Sequence, residues 1–171
     1  MAFVLVNDLL FETCRVNGPS MAPTLSPDFY TAGAKDTVLF YKNAGEMRRV
    51  RRGDIVVYHS LKYPEKLSVK RVVAIEEDTV ILPWGEKGVY PGGKVLVPFN
   101  HVWIEGDNRE KSLDSRHHGP ISKNLIVGKA MGIVFPLSRM GRIDTHGPKR
   151  PTLVIERSAG APPLEIGEVA D

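Results

Sequence analysis

The run Lys66-Leu-Ser-Val-Lys-Arg-Val-Val-Ala-Ile75 is the long apolar segment around which the rest of the chain is arranged. Its β-branched residues predict a strand, and Gly53-Asp54 ahead of Ile55-Val-Val-Tyr-His59 predicts a turn that leads into another strand. Further short apolar runs, each next to Gly, Pro or acidic residues, occur at residues 36–41, 79–82, 94–97, 101–105 and 130–135. Strands spaced this closely predict a mainly β fold, a small antiparallel β-barrel or sandwich.

The N-terminus, Met1-Ala-Phe-Val-Leu-Val-Asn-Asp-Leu-Leu-Phe11, is apolar but short, and Asn7 and Asp8 interrupt it. It falls below the roughly 18 to 20 continuous apolar residues that span a bilayer. Convincing helical periodicity is nearly absent elsewhere in the chain. We therefore expect a short N-terminal helix or anchor stub, and the sequence leaves open which of the two it is.

Composition sets broad limits on the function. A chain of 171 residues is long enough for one domain with a substantial core, and its net charge of +3 is too mild to argue for a nucleic-acid partner. The lone Cys14 excludes an internal disulfide and a cysteine-rich metal site. Neither a metal nor another cofactor is predicted.

Ser20 and Lys70 are the first candidates for catalysis. Ser20 lies in the Gly/Pro-rich turn Asn17-Gly-Pro-Ser-Met-Ala-Pro-Thr-Leu25, where a hydroxyl can be exposed to a substrate. A serine becomes a nucleophile when a base removes its proton, and a lysine can be that base only when it is neutral. Lys70 lies in an apolar strand, where burial would disfavour its charge. Strand alternation also allows Lys70 to point to solvent, and the pattern does not say which face is buried.

A third segment, Gly106-Asp-Asn-Arg-Glu-Lys-Ser-Leu-Asp-Ser-Arg-His-His-Gly-Pro120, concentrates polar side chains. Its composition is typical of a solvated loop whose side chains bond to the backbone. It is long for a hairpin loop, however, and its carboxylates, hydroxyls and arginine could form a buried polar network around a site.

Other catalytic and binding classes find less support. No Gly-x-Ser-x-Gly elbow accompanies any serine, and His117-His118 lacks the spacing of metal ligands on a strand or helix. The basic cluster Arg48-Arg-Val-Arg-Arg52 is read as a solvated turn, since aromatic residues that would stack on bases are not interleaved with it.

The segments around Ser20, Lys70 and residues 106–120, in this order, resemble the signature boxes of type I signal peptidases. Arg52-Gly-Asp-Ile-Val-Val57 is similar to the family's box between the serine and the lysine, and the resemblance covers residues 14–137. The short stretch between Lys70 and Gly106 is more similar to the compact mitochondrial inner membrane peptidases. Val97-Pro-Phe-Asn-His-Val-Trp-Ile-Glu-Gly-Asp107 resembles their second-subunit type more closely than the first.

The resemblance implies a role for each matching residue. Ser20 would be the nucleophile, Lys70 the general base, and Ser112 a serine that orients the lysine amine. Four charged residues would hold the active-site loop through ion pairs, namely Arg71, Asp107, Asp114 and Arg116. Met21 would shape the turn that presents Ser20. The lysine would need a pKa about three units below its ordinary value, which burial in an apolar sheet, with Arg71 adjacent and no carboxylate in contact, would supply.

One departure from the family pattern concerns the oxyanion. Some bacterial relatives carry a serine two positions before the nucleophile, whose hydroxyl helps to stabilise the oxyanion, and here that position is Gly18. The oxyanion hole would then depend on the Ser20 backbone N–H and one further donor.

The family also implies a peptidase domain and partners. Residues 1–13 would be the apolar stub and 14–137 the peptidase domain. From Ser138 onward Gly, Pro, Arg and small residues dominate, with Thr152-Leu-Val-Ile155 as one possible strand, so we expect 138–171 to be a mostly irregular C-terminal tail. The expected function is membrane-associated removal of presequences from precursor proteins, in the mitochondrial inner membrane and facing the intermembrane space. Membrane lipid and a second peptidase subunit would be its partners, with no nucleic acid. The alternative is a non-catalytic or partner-dependent subunit of a heterodimeric peptidase.

Overall fold

The computed structural model describes residues 10–42, 49–82, 93–146 and 152–157. The described strands are β1 (Phe11–Arg15), β2 (Thr37–Tyr41), β3 (Ile55–His59), β4 (Leu67–Ile75), β5 (Thr79–Leu82), β6 (Gly93–Leu96), β7 (His101–Glu105), β8 (Ile121–Ser122), β9 (Ile126–Phe135), β10 (Gly141–Arg142) and β11 (Leu153–Ile155). A short helix, α1 (Ser115–His118), and 3₁₀ turns at Arg109–Lys111, Lys123–Leu125 and Leu137–Arg139 complete these segments.

The larger sheet has eight strands in the order β1-β2-β9-β3-β4-β7-β8, with β10 paired to β9. Its pairings are antiparallel, and it curls into a half-barrel. Register shifts interrupt the pairing of β9 with both β2 and β3. Such irregularities bend a strand and increase its twist, which is how a flat sheet acquires curvature. The smaller sheet has the order β11-β5-β6.

Strands β3 and β4 lie at the centre of the larger sheet and are covered on both faces. Ile55 and Val57 of β3 pack into one hydrophobic cluster, and Val56 and Tyr58 pack into a second. Residues facing both sides of a strand can all be buried only when each face is covered. In β4 the same arrangement buries four consecutive positions, among them Lys70.

The mainly β prediction is confirmed, and several strand predictions agree closely with the structure. The bounds of β3, β5 and β7 match the sequence assignments, and β9 begins four residues earlier than the predicted residue 130. The N-terminal helix or anchor stub predicted for residues 1–13 lies mostly in residues 1–9, outside the described residues. Its last three residues belong instead to the strand Phe11–Arg15, which pairs with β2 and stacks Phe11 against Tyr41, with ring centroids 5.1 Å apart.

The segment after Ser138 contributes strands to both sheets. Strand β10 pairs with β9, and β11 pairs with β5, the latter at the position where the sequence had indicated one possible strand. None of the helices within the described ranges is both long and apolar enough to cross a bilayer.

An ion pair between buried Asp36, just before β2, and Arg139, just after β9, anchors the segment that follows Ser20. Asp36 is 1% exposed and accepts hydrogen bonds from the backbone N–H of Ser26 at 2.7 Å and from the Arg139 guanidinium at 3.0 Å. Arg139 also donates to the carbonyl of Thr24 at 3.0 Å. A carboxylate with this many donors fixes the backbone that follows the Ser20 turn.

We predict that Asp36→Ala destabilises the protein by about 2 kcal/mol, because it leaves the buried N–H of Ser26 without its acceptor and removes the carboxylate partner of Arg139. Chemical denaturation with urea measures the loss. The matched control is Glu12→Ala, which removes the partner of Lys42 in an exposed ion pair and should cost less than about 1 kcal/mol. Equal losses in the two variants would contradict this account of Asp36.

Candidate active site

Ser20 and Lys70 meet at the centre of the site. The Nζ atom of Lys70 lies 2.8 Å from the Oγ atom of Ser20, at hydrogen-bond distance, and donates to the carbonyl of Val69 at 3.0 Å. The amine is therefore held by one neighbour on its own strand and directed at the serine. This distance is what a nucleophile and its base require.

The environment of Lys70 lowers the pKa of its amine. The side chain is 6% exposed, and burial lowers the pKa from 10.5 to about 8, while Asp114 and then Asp107 act in the opposite direction. Within the described residues the hydrogen bonds of this amine go to Ser20 and Val69 rather than to a carboxylate, and the two aspartates, brought near by the loop at residues 106–120, act on it through their charge. Burial still outweighs their effect, since charge is disfavoured where water is excluded.

The turn that carries Ser20 is anchored by the residues that follow it. Met21 and Leu25 are completely buried in the cluster that also contains Val69. The N–H of Leu25 donates to the carbonyl of Met21 at 2.8 Å. Ser20 itself is only half-buried. The buried side chains of Met21 and Leu25, which begin and end this single turn, thus fix the backbone, while the Ser20 hydroxyl stays accessible.

Gly18, two residues before the serine, has φ of 141°, a region that favours glycine. A Cβ atom built there would meet nothing within 4 Å. The space is therefore open at the position where some bacterial relatives place a serine hydroxyl.

Arg71 forms a buried bidentate ion pair with Asp107. Its Nε and Nη2 atoms lie 3.0 and 2.8 Å from the two carboxylate oxygens, and both side chains are at most 2% exposed. Nη1 donates to the carbonyls of Gly53 and Asp144 at 2.9 and 2.8 Å. The hydroxyl of Thr24 donates to Asp107 at 2.5 Å, so the pair also holds the turn that carries Ser20.

Asp114 and Arg116 form a second buried pair. The Nε and Nη2 atoms of Arg116 donate to the Asp114 carboxylate at 3.0 and 2.9 Å, and Nη2 also donates to the carbonyl of Arg109 at 2.9 Å. Burial raises the pKa of Asp114, but the hydrogen bond from Arg116 and smaller contributions from Ser112 and Gly106 outweigh it, so the net pKa is lowered. Asp114 is therefore charged and also caps α1.

Ser112 lies beside the pair Ser20 and Lys70, which we call the dyad, and makes no hydrogen bond to Lys70. Its Oγ atom is buried and has no hydrogen-bond partner of normal geometry in the described part of the chain, although the hydroxyl is close enough to Asp114 to affect its pKa. A Cβ atom built on Gly106 would clash with this Oγ and with the carbonyl oxygen of Ser20. Glycine at position 106 thus lets the loop and the Ser20 turn come together.

Three residues of the site were not assigned roles from the sequence. Thr24 bonds to Asp107, Gly106 allows the close approach, and the N–H of Asn108 donates to the carbonyl of Ser20 at 3.0 Å. Thr24 and Gly106 lie in segments that the sequence singled out, and Gly106 directly precedes a candidate aspartate. The contact of Asn108 uses backbone atoms only, so its side-chain type carries no signal.

Two cavities meet at Lys70. The first, about 540 Å³, is lined by both Ser20 and Lys70 and runs along residues 14–18 and 66–69; we call it the serine-side cavity. The second, about 480 Å³, is lined by Lys70 but not by Ser20, and extends towards Leu113 and His118; we call it the lysine-side cavity. Ser60, Tyr63 and Ser68 line both. The described residues include no group of three or more His, Cys, Asp or Glu that could hold a metal ion.

Comparisons with known proteins identify the family of this chain. The sequence profile of the family described as signal peptidase, peptidase S26, matches residues 1–90 and 82–135. The chain is 41% identical over 158 residues to mitochondrial inner membrane protease subunit 2 of Danio rerio, covering 91% of this chain and 82% of that protein. It is 39% identical over 137 residues to the Saccharomyces cerevisiae protein of the same name, covering 80% and 75%.

The chain is also similar, at lower sequence identity, to mitochondrial inner membrane protease subunit 1. Mitochondrial inner membrane protease subunit 1 of Mus musculus is 36% identical over 126 residues, which cover 73% of this chain and 70% of that protein. The matched profile accounts for most of the chain, and the relatives are aligned over most of their own length. The chain therefore belongs to the signal peptidase family, peptidase S26, as the three sequence segments had indicated.

Proposed function

We propose that the chain is a membrane-associated serine endopeptidase that removes sorting presequences from proteins delivered to the mitochondrial intermembrane space. Peptidase S26 is a family of serine peptidases, which supports proteolysis in general terms. The assignment of Ser20 as nucleophile and Lys70 as general base is our own proposal. It depends above all on one observation, the 2.8 Å contact between Ser20 Oγ and a lysine amine with a lowered pKa.

The acylation step follows from the positions of these two groups. Neutral Lys70 accepts the hydroxyl proton of Ser20 as Oγ bonds to the carbonyl carbon of the scissile peptide bond. The resulting oxyanion accepts a hydrogen bond from the Ser20 backbone N–H. When the C–N bond breaks, the protonated Lys70 gives its proton to the leaving nitrogen. The products are a free amine and an ester on Ser20.

Deacylation uses the same amine a second time. A water molecule loses a proton to neutral Lys70 and its oxygen bonds to the ester carbonyl carbon. The bond to Ser20 Oγ then breaks, and Lys70 returns the proton to that oxygen. The new carboxylic acid leaves, and both residues regain their starting protonation states. The supporting ion pairs of Asp107 and Asp114 take no proton in this sequence; they hold the turn and loop that position the dyad.

The sheet next to the dyad offers a place for an extended peptide. Residues 67–70 of β4 pair with β3 on one edge, whereas β7 pairs with β4 only from Arg71 onwards. Within the described residues, the other edge of 67–70 therefore has no paired strand. A substrate that adds there as a strand would present its backbone to Ser20, because strand addition uses main-chain hydrogen bonds.

The relatives support the cellular setting that we propose. Relatives of this chain are named mitochondrial inner membrane protease subunit 2 and subunit 1. A numbered subunit implies a multi-subunit complex, so we propose that this chain works in the inner membrane beside a second peptidase subunit, with its active site on the intermembrane-space side. Membrane lipid and presequence-bearing precursors complete its partners.

The alternative is a non-catalytic or partner-dependent subunit. A non-catalytic role does not explain why a lysine is buried against a serine hydroxyl, because burial disfavours the charged form of the lysine amine. Dependence on a partner for stability or for substrate delivery is compatible with an intact dyad, and it is tested by comparing the chain alone with the chain in complex.

We predict that Ser20→Ala and Lys70→Met each lower cleavage of a presequence-bearing precursor at least about a thousandfold. Cleavage is measured in lipid–detergent micelles, with and without the partner subunit. Ser138→Ala, which alters an exposed serine, should leave the rate unchanged. Lys70→Met should also melt no lower than wild type at pH 7, because it removes a buried charge. Undiminished cleavage by Ser20→Ala in either condition would contradict the proposed nucleophile.

We predict that kcat/KM rises about tenfold per pH unit below the lysine pKa and levels off above about pH 8. The direction follows because Lys70 must be neutral to accept the serine proton, and the fraction of neutral amine grows until the pKa is passed. Initial rates between pH 6 and pH 9.5 measure the profile. A rate that stays constant over this range, or that falls as pH rises through 8, is incompatible with Lys70 as the base.

A further inference from the structure

The lysine-side cavity is not used by the catalytic steps above. Its inner wall contains Tyr58, which is 3% exposed, and its outer wall contains Leu61, Tyr63 and Leu113, each about half exposed. Leucine and tyrosine side chains left open beside a catalytic group form a surface that gains free energy when an apolar group covers it.

The position of this cavity relative to the dyad indicates which part of a substrate would reach it. Ser20 bonds to the carbonyl carbon of the scissile bond, so the acyl part lies on the serine's side. The leaving nitrogen takes its proton from Lys70 and therefore lies towards the lysine. The serine-side cavity touches both catalytic residues, whereas the lysine-side cavity touches only Lys70. The lysine-side cavity is thus placed for the residues that follow the scissile bond.

The polar groups of the cavity wall have partners of their own. Burial lowers the pKa of His118, whose Nδ1 lies 2.9 Å from the carbonyl of Gly119, so the ring is neutral near pH 7 and Nδ1 donates that bond. The ammonium groups of Lys62, which lines the cavity, and of Lys66 lie over the ring of Tyr63, 5.3 and 4.8 Å from its centroid. Both cations thus contact the aromatic face of Tyr63.

We propose that the lysine-side cavity binds an apolar side chain of the substrate immediately after the scissile bond, and that Leu113 is one determinant of this preference. The inference depends on the proposed Ser20/Lys70 peptidase activity and specifies its substrate further. Leu113 comes directly after Ser112 in the loop that positions the dyad, so the same loop would assemble the catalytic site and select the leaving part of the substrate.

The test uses two peptides that share one presequence and differ only in the residue after the cleaved bond, leucine or glycine. The full chain is assayed in lipid–detergent micelles together with its partner subunit, and kcat/KM is compared for the two peptides. We expect leucine to be preferred about tenfold, the scale on which an apolar pocket discriminates. Leu113→Ser should reduce this preference to about threefold or less.

The matched control is Leu137→Ser, which alters a leucine that is 75% exposed and lines neither cavity; it should keep the wild-type preference. Equal rates for the two peptides, or equal loss of preference in both variants, would overturn the inference while Ser20-dependent cleavage stands. A faster reaction when aspartate replaces leucine would overturn it as well. Glycine-peptide cleavage that survives Ser20→Ala would remove the proposed function and this inference together.

Discussion

The hydrogen bond between the buried amine of Lys70 and the hydroxyl of Ser20 is the contact on which the site depends. It joins β4, at the centre of the sheet, to a turn near the N-terminal edge, and the 2.8 Å distance requires both to be held firmly. Both faces of β4 are covered at residues 69–72, so Lys70 is buried there although its amine borders two cavities. Lowering the lysine pKa from 10.5 to about 8 means that its surroundings disfavour the charged form, relative to the neutral one, by about 3 kcal/mol.

The lowered pKa increases the fraction of Lys70 amine that is neutral and able to accept a proton. At pH 7 an amine with a pKa of about 8 is neutral in roughly a tenth of the molecules, several hundredfold more than an ordinary lysine. The two aspartates near it work against this gain, yet each is held by an arginine in a buried bidentate pair. The guanidinium groups balance the carboxylate charges, so the loop can contribute polar anchoring to the Ser20 turn without fully restoring the lysine's charge.

The sequence predicted the strands and the identity of the candidate dyad better than it predicted the environment of the dyad. Apolar runs between turn residues determine where β3, β5 and β7 lie, because these signals are local. The burial of Lys70 on a strand covered on both faces depends on β9 and β7, which lie far away in sequence. For the same reason the contacts of Thr24 and Asn108, and the cavity between Tyr58 and Leu113, could not be predicted. Strand β1 was missed because Phe11–Arg15 has no apolar run and gains its partners only from β2.

The measurement that tests this account most directly is an NMR titration of Lys70 in the folded protein, with lysine side chains labelled with ¹³C at Cε and Lys70→Met used to assign the resonance. The account predicts a titration midpoint of about 8 for this lysine, well below the ordinary lysine value near 10.4. A midpoint of 10 or above for Lys70 would mean that its amine is charged at neutral pH, and would contradict its role as the base for Ser20.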